Sequence, residues 1–583
     1  MAGGMLRRRG CRVALSLALT LGAAGSSPAG PAAAPPAWVE WSDDTFARAK
    51  REHKLVLLSL QSWWCPWCHT MNETTYGDPE VREVIAGHFI AVRVDQDSRP
   101  DLSQRYERWG WPATVIFGPD GTEIVKLRGF YSPKFFLPIL RETIRDPSPV
   151  DYGKLGGDER AAAQTTRLPE QDRREILAFI DKSWDGAHGG FGPQKLADGP
   201  TYTWLLERAY LGDGHAAARA RRTIDGVIRL IDRETGAVSQ VTLARDYSRP
   251  AKEHPMFAQE GALKGLAHAY ALWREPRHLI AARRVVAFLA NTMRGPNGGF
   301  YSSFGRERGN PGVDRRQYAR ENGLAIQGLL AYHDATGETR ALDLARGAAR
   351  WALANRARGD GGFNHAERDA AGPYLGDALA MGQALLALHR STGEREWLTH
   401  ARAAGDFILR TFVDPGTGAL VASASPDAAH LTAPIKQKDD NAAAVRFLNL
   451  LAAYTGEGRF RQAAESVFGY LASPAVLEAY GFLPDVLHAE YELTHEPVHV
   501  TVIGGKDDPR AQALYRAALR YPSAHKRAEW WDRREGTLPN PDVAYPEHPQ
   551  AAVFACTSTF CSLPVTDPTR VAPALDRLQR ALR

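Results

Sequence analysis

The stretch Trp63-Trp64-Cys65-Pro66-Trp67-Cys68-His69 places two cysteines three positions apart, with a histidine directly after the second. Two chemistries use that spacing. A dithiol at the start of a helix opens and closes a disulfide. Its first sulfur is the nucleophile, because unpaired N–H groups and the helix dipole favour the thiolate. The same letters, Cys-x-x-Cys-His, are the attachment signal for a c-type haem. A second close pair, Cys556 and Cys561, fits a structural disulfide, a second exchange pair or two free thiols. Between the pairs, carboxylates recur at one interval. Glu321, Asp377 and Asp440 each precede a glycine (Gly337, Gly393, Gly456) by sixteen residues, and Glu260 precedes Pro276 by sixteen. Acids near helix N-termini act as caps worth about 0.5–1 kcal/mol each. Gathered at one mouth, they also suit acid–base work on a glycosidic bond. His254, Tyr318, Asn322, Lys436, Asp439 and Asn441 lie near them in the chain. His254 with a second base would exchange a proton beside a carbonyl.

The elements around the first motif are short. Lys54 to Leu60 is an apolar run with the length of a buried strand, and it ends at the cysteines. A helical pattern from Met71 to Gly87, a strand Phe89 to Asp95, and a strand entered through Trp111-Pro112 and closed by a Pro-Asp-Gly turn follow. Another strand and a helix from Pro133 to Arg145 complete the unit. This order resembles thioredoxin. The resemblance implies that Cys65 is an exposed nucleophile, Cys68 the resolving thiol and Pro112 a cis-proline preceded by Trp111. Thioredoxins usually carry a buried acid on the strand before the motif; here Ser59 stands there, so His69 becomes a candidate helper. The strand-to-helix setting, the proline partner and the three tryptophans favour dithiol chemistry over haem.

After a linker the chain turns periodic. Glycine turn signals recur at Gly190, Gly236, Gly299, Gly362, Gly418 and Gly481. Between them lie helix pairs, one apolar nearly all round and the other amphipathic. A helix apolar all round is buried and an amphipathic one lies at the surface. Six such hairpins predict an (α/α)6 barrel whose inner helices would open with Glu260, Glu321, Asp377 and Asp440 at one mouth. The Gly-Gly-Phe turns read as structural, with Phe191, Phe300 and Phe363 as plugs. The expected layout is a signal peptide and linker over 1–37, a thioredoxin-like α/β domain over 38–146, a linker over 147–166, the all-α barrel over 167–494 and a small α/β segment over 495–583.

The basic N-terminus followed by Val13 to Gly25 has the length of an export signal, too short for a membrane span. It predicts a periplasmic or secreted protein, with membrane contact only through an uncleaved signal. In such a compartment disulfides persist. The formal charge is +5, and Arg7, Arg8, Arg9 and Arg12 supply most of it. The near-neutral body makes no electrostatic case for nucleic acid. No metal-ligand spacing is present, and no cofactor is expected beyond a redox-active Cys65–Cys68 disulfide.

The ordering of these parts is similar to the spermatogenesis-associated protein 20-like family, a thioredoxin-like domain fused to a six-hairpin-glycosidase-like barrel. The carriers are "CPWCHTM", "VDQDSRPD", "GWPATVIFGPDG", "GGFGPQK", "ENGLA", "YLGDA", "KQKDDNAA" and "FACTSTFCSLPVTDP". Two segments depart from the family pattern: "KEHPMFAQEGA", in which His254 is displaced, and the short "SSFGRERGNPGVDRR" where an acidic insertion usually follows. The first expectation is a thiol–disulfide oxidoreductase acting on a protein disulfide partner. The second is a glycosidase or sugar epimerase using the barrel carboxylates on a saccharide ligand, with the thioredoxin-like part as a docking module. The third is a non-catalytic scaffold.

Overall fold

The computed structural model describes residues 36–152, 165–307, 310–369, 371–424 and 435–582. The expected export segment and most of the expected linker lie outside the described residues.

In the N-terminal domain, β1 (Leu55–Gln61) pairs in parallel with β2 (Phe89–Asp95) and antiparallel with β3 (Ala113–Phe117), which pairs with β4 (Glu123–Arg128). The order β2-β1-β3-β4 places the apolar run of β1 at the centre. A sheet covered on both faces needs such continuous apolar strands. One face packs Trp41, Phe46, Tyr106 and Phe117, the other Met71, Tyr76, Phe136 and Leu140. The helix expected over Met71 to Gly87 is broken. A short helix Pro66–Thr70 runs into a wider turn Met71–Thr75, and a new helix spans Pro79–His88. Pro79 disfavours a helical conformation in the residue before it. Asp78 instead caps the new helix, accepting from the N–H groups of Glu80 and Val81.

Among the described residues, twelve longer helices of the barrel form two rings. The inner ones are Gly199–Tyr210, Met256–Trp273, Ala319–Thr336, Leu375–Thr392, Lys438–Thr455 and Pro484–Thr494. The outer ones are Glu170–Ser183, Gly214–Leu230, Pro276–Phe288, Thr339–Asn355, Arg395–Thr411 and Gly458–Leu471. Each inner helix packs on the next, and the last packs on the first, so the ring closes. Five of the six glycine signals mark a turn between an outer helix and the next inner one. Each such turn is drawn together by one β-bridge, such as Arg294 with Phe300 or Ala357 with Phe363. The sixth, at Gly481, lies in an irregular stretch before the last inner helix.

Three of these turns are pinned by an amide at the fourth residue of the following inner helix. Asn322 Oδ1 accepts from the Phe300 N–H at 2.7 Å, while its Nδ2 donates to the carbonyls of Phe300 and Tyr318. Gln259 does the same to Val238, and Asn441 to Leu420. Asn322, expected beside a ligand, is therefore fully occupied by backbone. Asn322→Leu should cost roughly 2–5 kcal/mol in urea or thermal unfolding, because it leaves a buried donor and a buried acceptor of Phe300 unpaired.

The C-terminal segment forms a three-stranded sheet of Lys526–Trp531, Val498–Ile503 and Ala552–Cys556, in that order. It closes the barrel end where the inner helices finish. Helices end there with unpaired carbonyls. Arg520 donates to the Thr336 carbonyl at 3.0 Å and Lys506 to that of Gly393 at 2.8 Å. Cys556 and Cys561 are joined as a disulfide at its edge.

Candidate functional site at the mouth of the barrel

The thioredoxin-like domain sits over the opposite end, where the inner helices begin. The two domains enclose a cavity of about 320 Å³. Glu321, Asp377 and Asp440 line its floor, as the spacing predicts; Asp97, Gln104 and Glu107 line the roof, and Trp64 and Trp111 one wall. Roof and floor are bonded directly. Gln104 Nε2 donates to Asp440 Oδ2 at 3.0 Å, Gln437 Nε2 to the Gln104 carbonyl at 3.0 Å, and Arg316 to Asp95 Oδ2 at 3.0 Å.

Glu260 does not join the other three. The inner helices bearing Glu321, Asp377 and Asp440 end at left-handed glycines, and each acid is the third residue of its helix. The corresponding left-handed residue after Met256–Trp273 is Arg274, with φ 56°, two positions before Pro276. Counted from either end, the equivalent position is Ala258. Glu260 lies further into the barrel, paired with Lys264 at 2.6 Å. His254 also stays outside the cavity. It is buried opposite Phe304 in a strand pair, and burial holds its imidazole down at about 4.

A residue absent from the sequence-based expectations organises the floor. His365 follows the Gly-Gly-Phe turn by two positions. Its Nδ1 meets Asp377 Oδ1 at 2.9 Å, and its Nε2 reaches the Asp97 carbonyl at 2.7 Å. Tyr318 stacks on the ring at 4.1 Å. With an acceptor at each nitrogen, the ring is a double donor and hence an imidazolium. Burial opposes that charge, but Asp377 outweighs it and raises the group to about 9. Asp377 also accepts the Arg320 N–H at 2.9 Å, so it is a tied structural carboxylate.

Glu321 is different. Arg320 holds one oxygen at 3.2 Å, and the other, Oε2, is buried with no hydrogen-bond partner. Around it, burial pushes Asp440 above the ordinary carboxylate range despite Arg320 nearby. Asp97 goes well above it through burial and the charges of Asp95 and Glu321, and Glu107 rises through burial and the charges of Asp439 and Asp440. A carboxylate with a free oxygen beside carboxyls whose proton affinity is raised is the arrangement acid–base catalysis needs.

Behind the tryptophan wall, Cys65 and Cys68 are joined as a disulfide. Cys65 begins the short helix, and the Cys68 N–H points at its sulfur at 3.1 Å. Trp111–Pro112 is cis, and Trp111 packs with Trp63 and Trp64 around the cysteines. The exposure implied for Cys65 is not found: it is 3% exposed and Cys68 1%. Trp63, Trp64 and Trp111 pack around the sulfurs, and the barrel backs this cover. The segment after Ser302 forms a hairpin, Ser303–Glu307 with Asn310–Asp314, laid against Trp63 and Trp64. A Cβ on Gly305 would stand 3.3 Å from Trp64 Cβ. Trp64 Nε1 is held by Asp97 at 3.0 Å. Gly305→Arg should therefore lift the hairpin and speed reduction of the disulfide by dithiothreitol at least tenfold; equal rates in variant and wild type would remove the hairpin's covering role. His69 Nε2 donates to the Trp63 carbonyl at 2.8 Å, a loop-closing bond that leaves that nitrogen no base function. Below the motif, Ser59 and Gln61 bond to each other and Gln61 pairs with Asn72, a network without a carboxylate.

Residues 30–136 match the family described as Thioredox_DsbH, protein of unknown function, DUF255. Residues 258–473 match that described as Beta-L-arabinofuranosidase, GH127 catalytic domain, a span holding His365 and the three floor carboxylates. Human spermatogenesis-associated protein 20 is 22% identical over 302 residues, 46% of this chain and 38% of that protein. The resemblance to spermatogenesis-associated protein 20 holds. Mouse and rat relatives of the same name match over the same shares, so the chain covers well under half the length of these proteins. The thiol:disulfide interchange protein DsbD of Ralstonia nicotianae is 29% identical over 106 residues, 18% of this chain and 17% of that protein. Among solved structures, D-mannose isomerase superposes with a TM-score of 0.46 at 13% identity, covering 56% of this chain and 96% of its own. The chain thus joins a thioredoxin-like domain to a helical barrel that matches a glycosidase catalytic-domain model.

Proposed function

We propose that the chain is an exported, carbohydrate-active protein whose reaction centre is the cavity between its two domains. The observation that carries this reading is the direct bonding of the thioredoxin-like roof to the carboxylate floor, Gln104 to Asp440 and the Asp97 carbonyl to His365. The roof is then part of the site, and the dithiol lies behind its tryptophan wall. Glu321 acts as base or nucleophile through its unpaired oxygen, and Asp440 as the proton donor. Arg320 and Gln437 orient hydroxyls, and Trp64 or Trp111 offers an apolar face to a sugar ring. Both hydrolysis of a glycosidic bond and epimerisation beside a carbonyl need such a pair. The match of the barrel to a family described as an arabinofuranosidase catalytic domain supports the saccharide class. The test is a thermal-shift and product screen of mono- and oligosaccharides against the wild type and Asp440→Asn. A sugar that stabilises both but is converted only by the wild type is expected. Failure of every sugar to stabilise either overturns the reading.

A second reading has its own support: the Cys68 N–H on the Cys65 sulfur beside the cis Trp111–Pro112 bond. Here the reduced Cys65 thiolate attacks a partner's disulfide, releasing one partner thiol and forming a mixed disulfide. Cys68 then displaces the second thiol, leaving Cys65–Cys68 oxidised and the partner reduced by two electrons. Because both sulfurs are buried and the hairpin lies on Trp63 and Trp64 beside them, this exchange requires the motif to open, with the hairpin moving off those rings. An insulin-reduction assay on the wild type and Cys65→Ser decides it, equal inactivity excluding exchange.

A further inference from the structure

A second cavity, of about 140 Å³, lies deeper in the barrel lumen, and none of its lining residues lines the mouth. Gln327 and Gln383 on its wall are each six residues beyond Glu321 and Asp377 on the same helices, about 9 Å further in. The C-terminal segment closes this end and contributes His525.

Three cations line it, each with a carboxylate partner. Lys264 pairs with Glu260 at 2.6 Å, Arg390 with Asp334 at 3.3 Å, and Arg446 with Glu492 at 2.7 Å. In every pair the cation is the more exposed member, at 30, 20 and 28% against 11, 9 and 4%. Inside a closed ring, that exposed surface faces the lumen. The positive heads therefore point into the cavity, with Glu260 and Asp334 behind Lys264 and Arg390; Glu492 beside Arg446 also lines it, so three cations face one acid, which favours an anion.

The histidines narrow the class. His525 Nε2 donates to the His495 carbonyl at 3.1 Å, and burial keeps the ring from charging. Its Nδ1 then carries a lone pair. That nitrogen is buried without a hydrogen-bond partner, and its nearest ionic neighbour is the Glu492 carboxylate at 3.9 Å, another acceptor. The atom lacks a donor, which a hydroxyl supplies. His268 makes no hydrogen bond to a described residue, and burial beside Lys264, Arg390 and Arg446 holds it neutral. It offers one donor and one acceptor.

We propose that this inner cavity binds a small hydroxy-carboxylate, its carboxylate taken by Arg390, Arg446 and Lys264 and a hydroxyl proton by His525 Nδ1. The site is separate from the chemistry assigned to the mouth. Isothermal titration of the full chain at pH 7 with D-glycerate, propionate and inorganic phosphate tests it. D-glycerate should bind at least tenfold tighter than either of the others. His268→Leu and Gln383→Leu, which break no ion pair, should each weaken D-glycerate at least fivefold with an unchanged melting temperature. Glu321→Gln at the mouth should leave it unchanged. Equal binding of propionate, tighter binding of phosphate, no heat with any probe, or loss of D-glycerate in Glu321→Gln alone would each overturn the assignment.

Discussion

Glu321→Gln should lower turnover of any sugar that the wild type converts by about 10²–10⁴-fold, the range set by loss of a positioned acid or base. The substitution keeps the size of the side chain and an oxygen for Arg320, so binding should stay within a few-fold. What disappears is the basic oxygen. Oε2 is the one carboxylate oxygen of the floor that is buried without a partner, whereas Asp377 is tied to His365 and Arg320 and Asp440 to Gln104. Asp440→Asn should act on the opposite limb of the pH profile. Burial raises the Asp440 carboxyl, so it remains protonated to higher pH than a free aspartic acid, and the rate should fall as pH climbs through that raised value. Turnover unaltered in Glu321→Gln would exclude this residue from the chemistry.

The seam between the domains should weaken in alkali. His365 is buried, and its imidazolium donates to Asp377 on one side and to the Asp97 carbonyl on the other. Asp377 holds the group at about 9, against an ordinary 6.5. A group raised on folding contributes fully below its unfolded value and loses that contribution as pH rises through the folded one. The loss should fall mainly between about pH 6.5 and 9.5 and amount to about 3 kcal/mol. Thermal unfolding of the wild type across that window should show it. His365→Phe, which keeps the stack on Tyr318, should be flat there. Asp377→Ala removes one member of a buried pair and should cost about 3–5 kcal/mol at neutral pH. A wild-type melting temperature that does not fall over the window would disprove the charged state of His365.

Much of the architecture was legible because it is local. Helical hairpins announce themselves by apolar period and by glycine turns, both properties of neighbouring residues. The strand-cysteine-helix unit and the prolyl loop are equally short in range. The sixteen-residue interval found three floor carboxylates for the same reason, since a helix of constant length carries its register from end to start. It failed at Glu260 because that helix stops two residues earlier, at Arg274, which takes the left-handed conformation that glycine takes elsewhere. His365 gave no sign beyond following a Gly-Gly-Phe turn.

The amino-acid sequence by itself determined the two kinds of domain, the cysteine pair with a Trp-Pro step that the thioredoxin resemblance implies is cis, and a ring of helices opening on acids. Only the tertiary structure decided that the redox-type domain lies over those acids, that a barrel hairpin lies on the tryptophans beside the dithiol, and that His365 meets a carbonyl 268 positions away. Helix and strand periods arise from contacts a few residues apart. The docking of two finished surfaces depends on side chains from many elements at once, and no pattern within any one element encodes it.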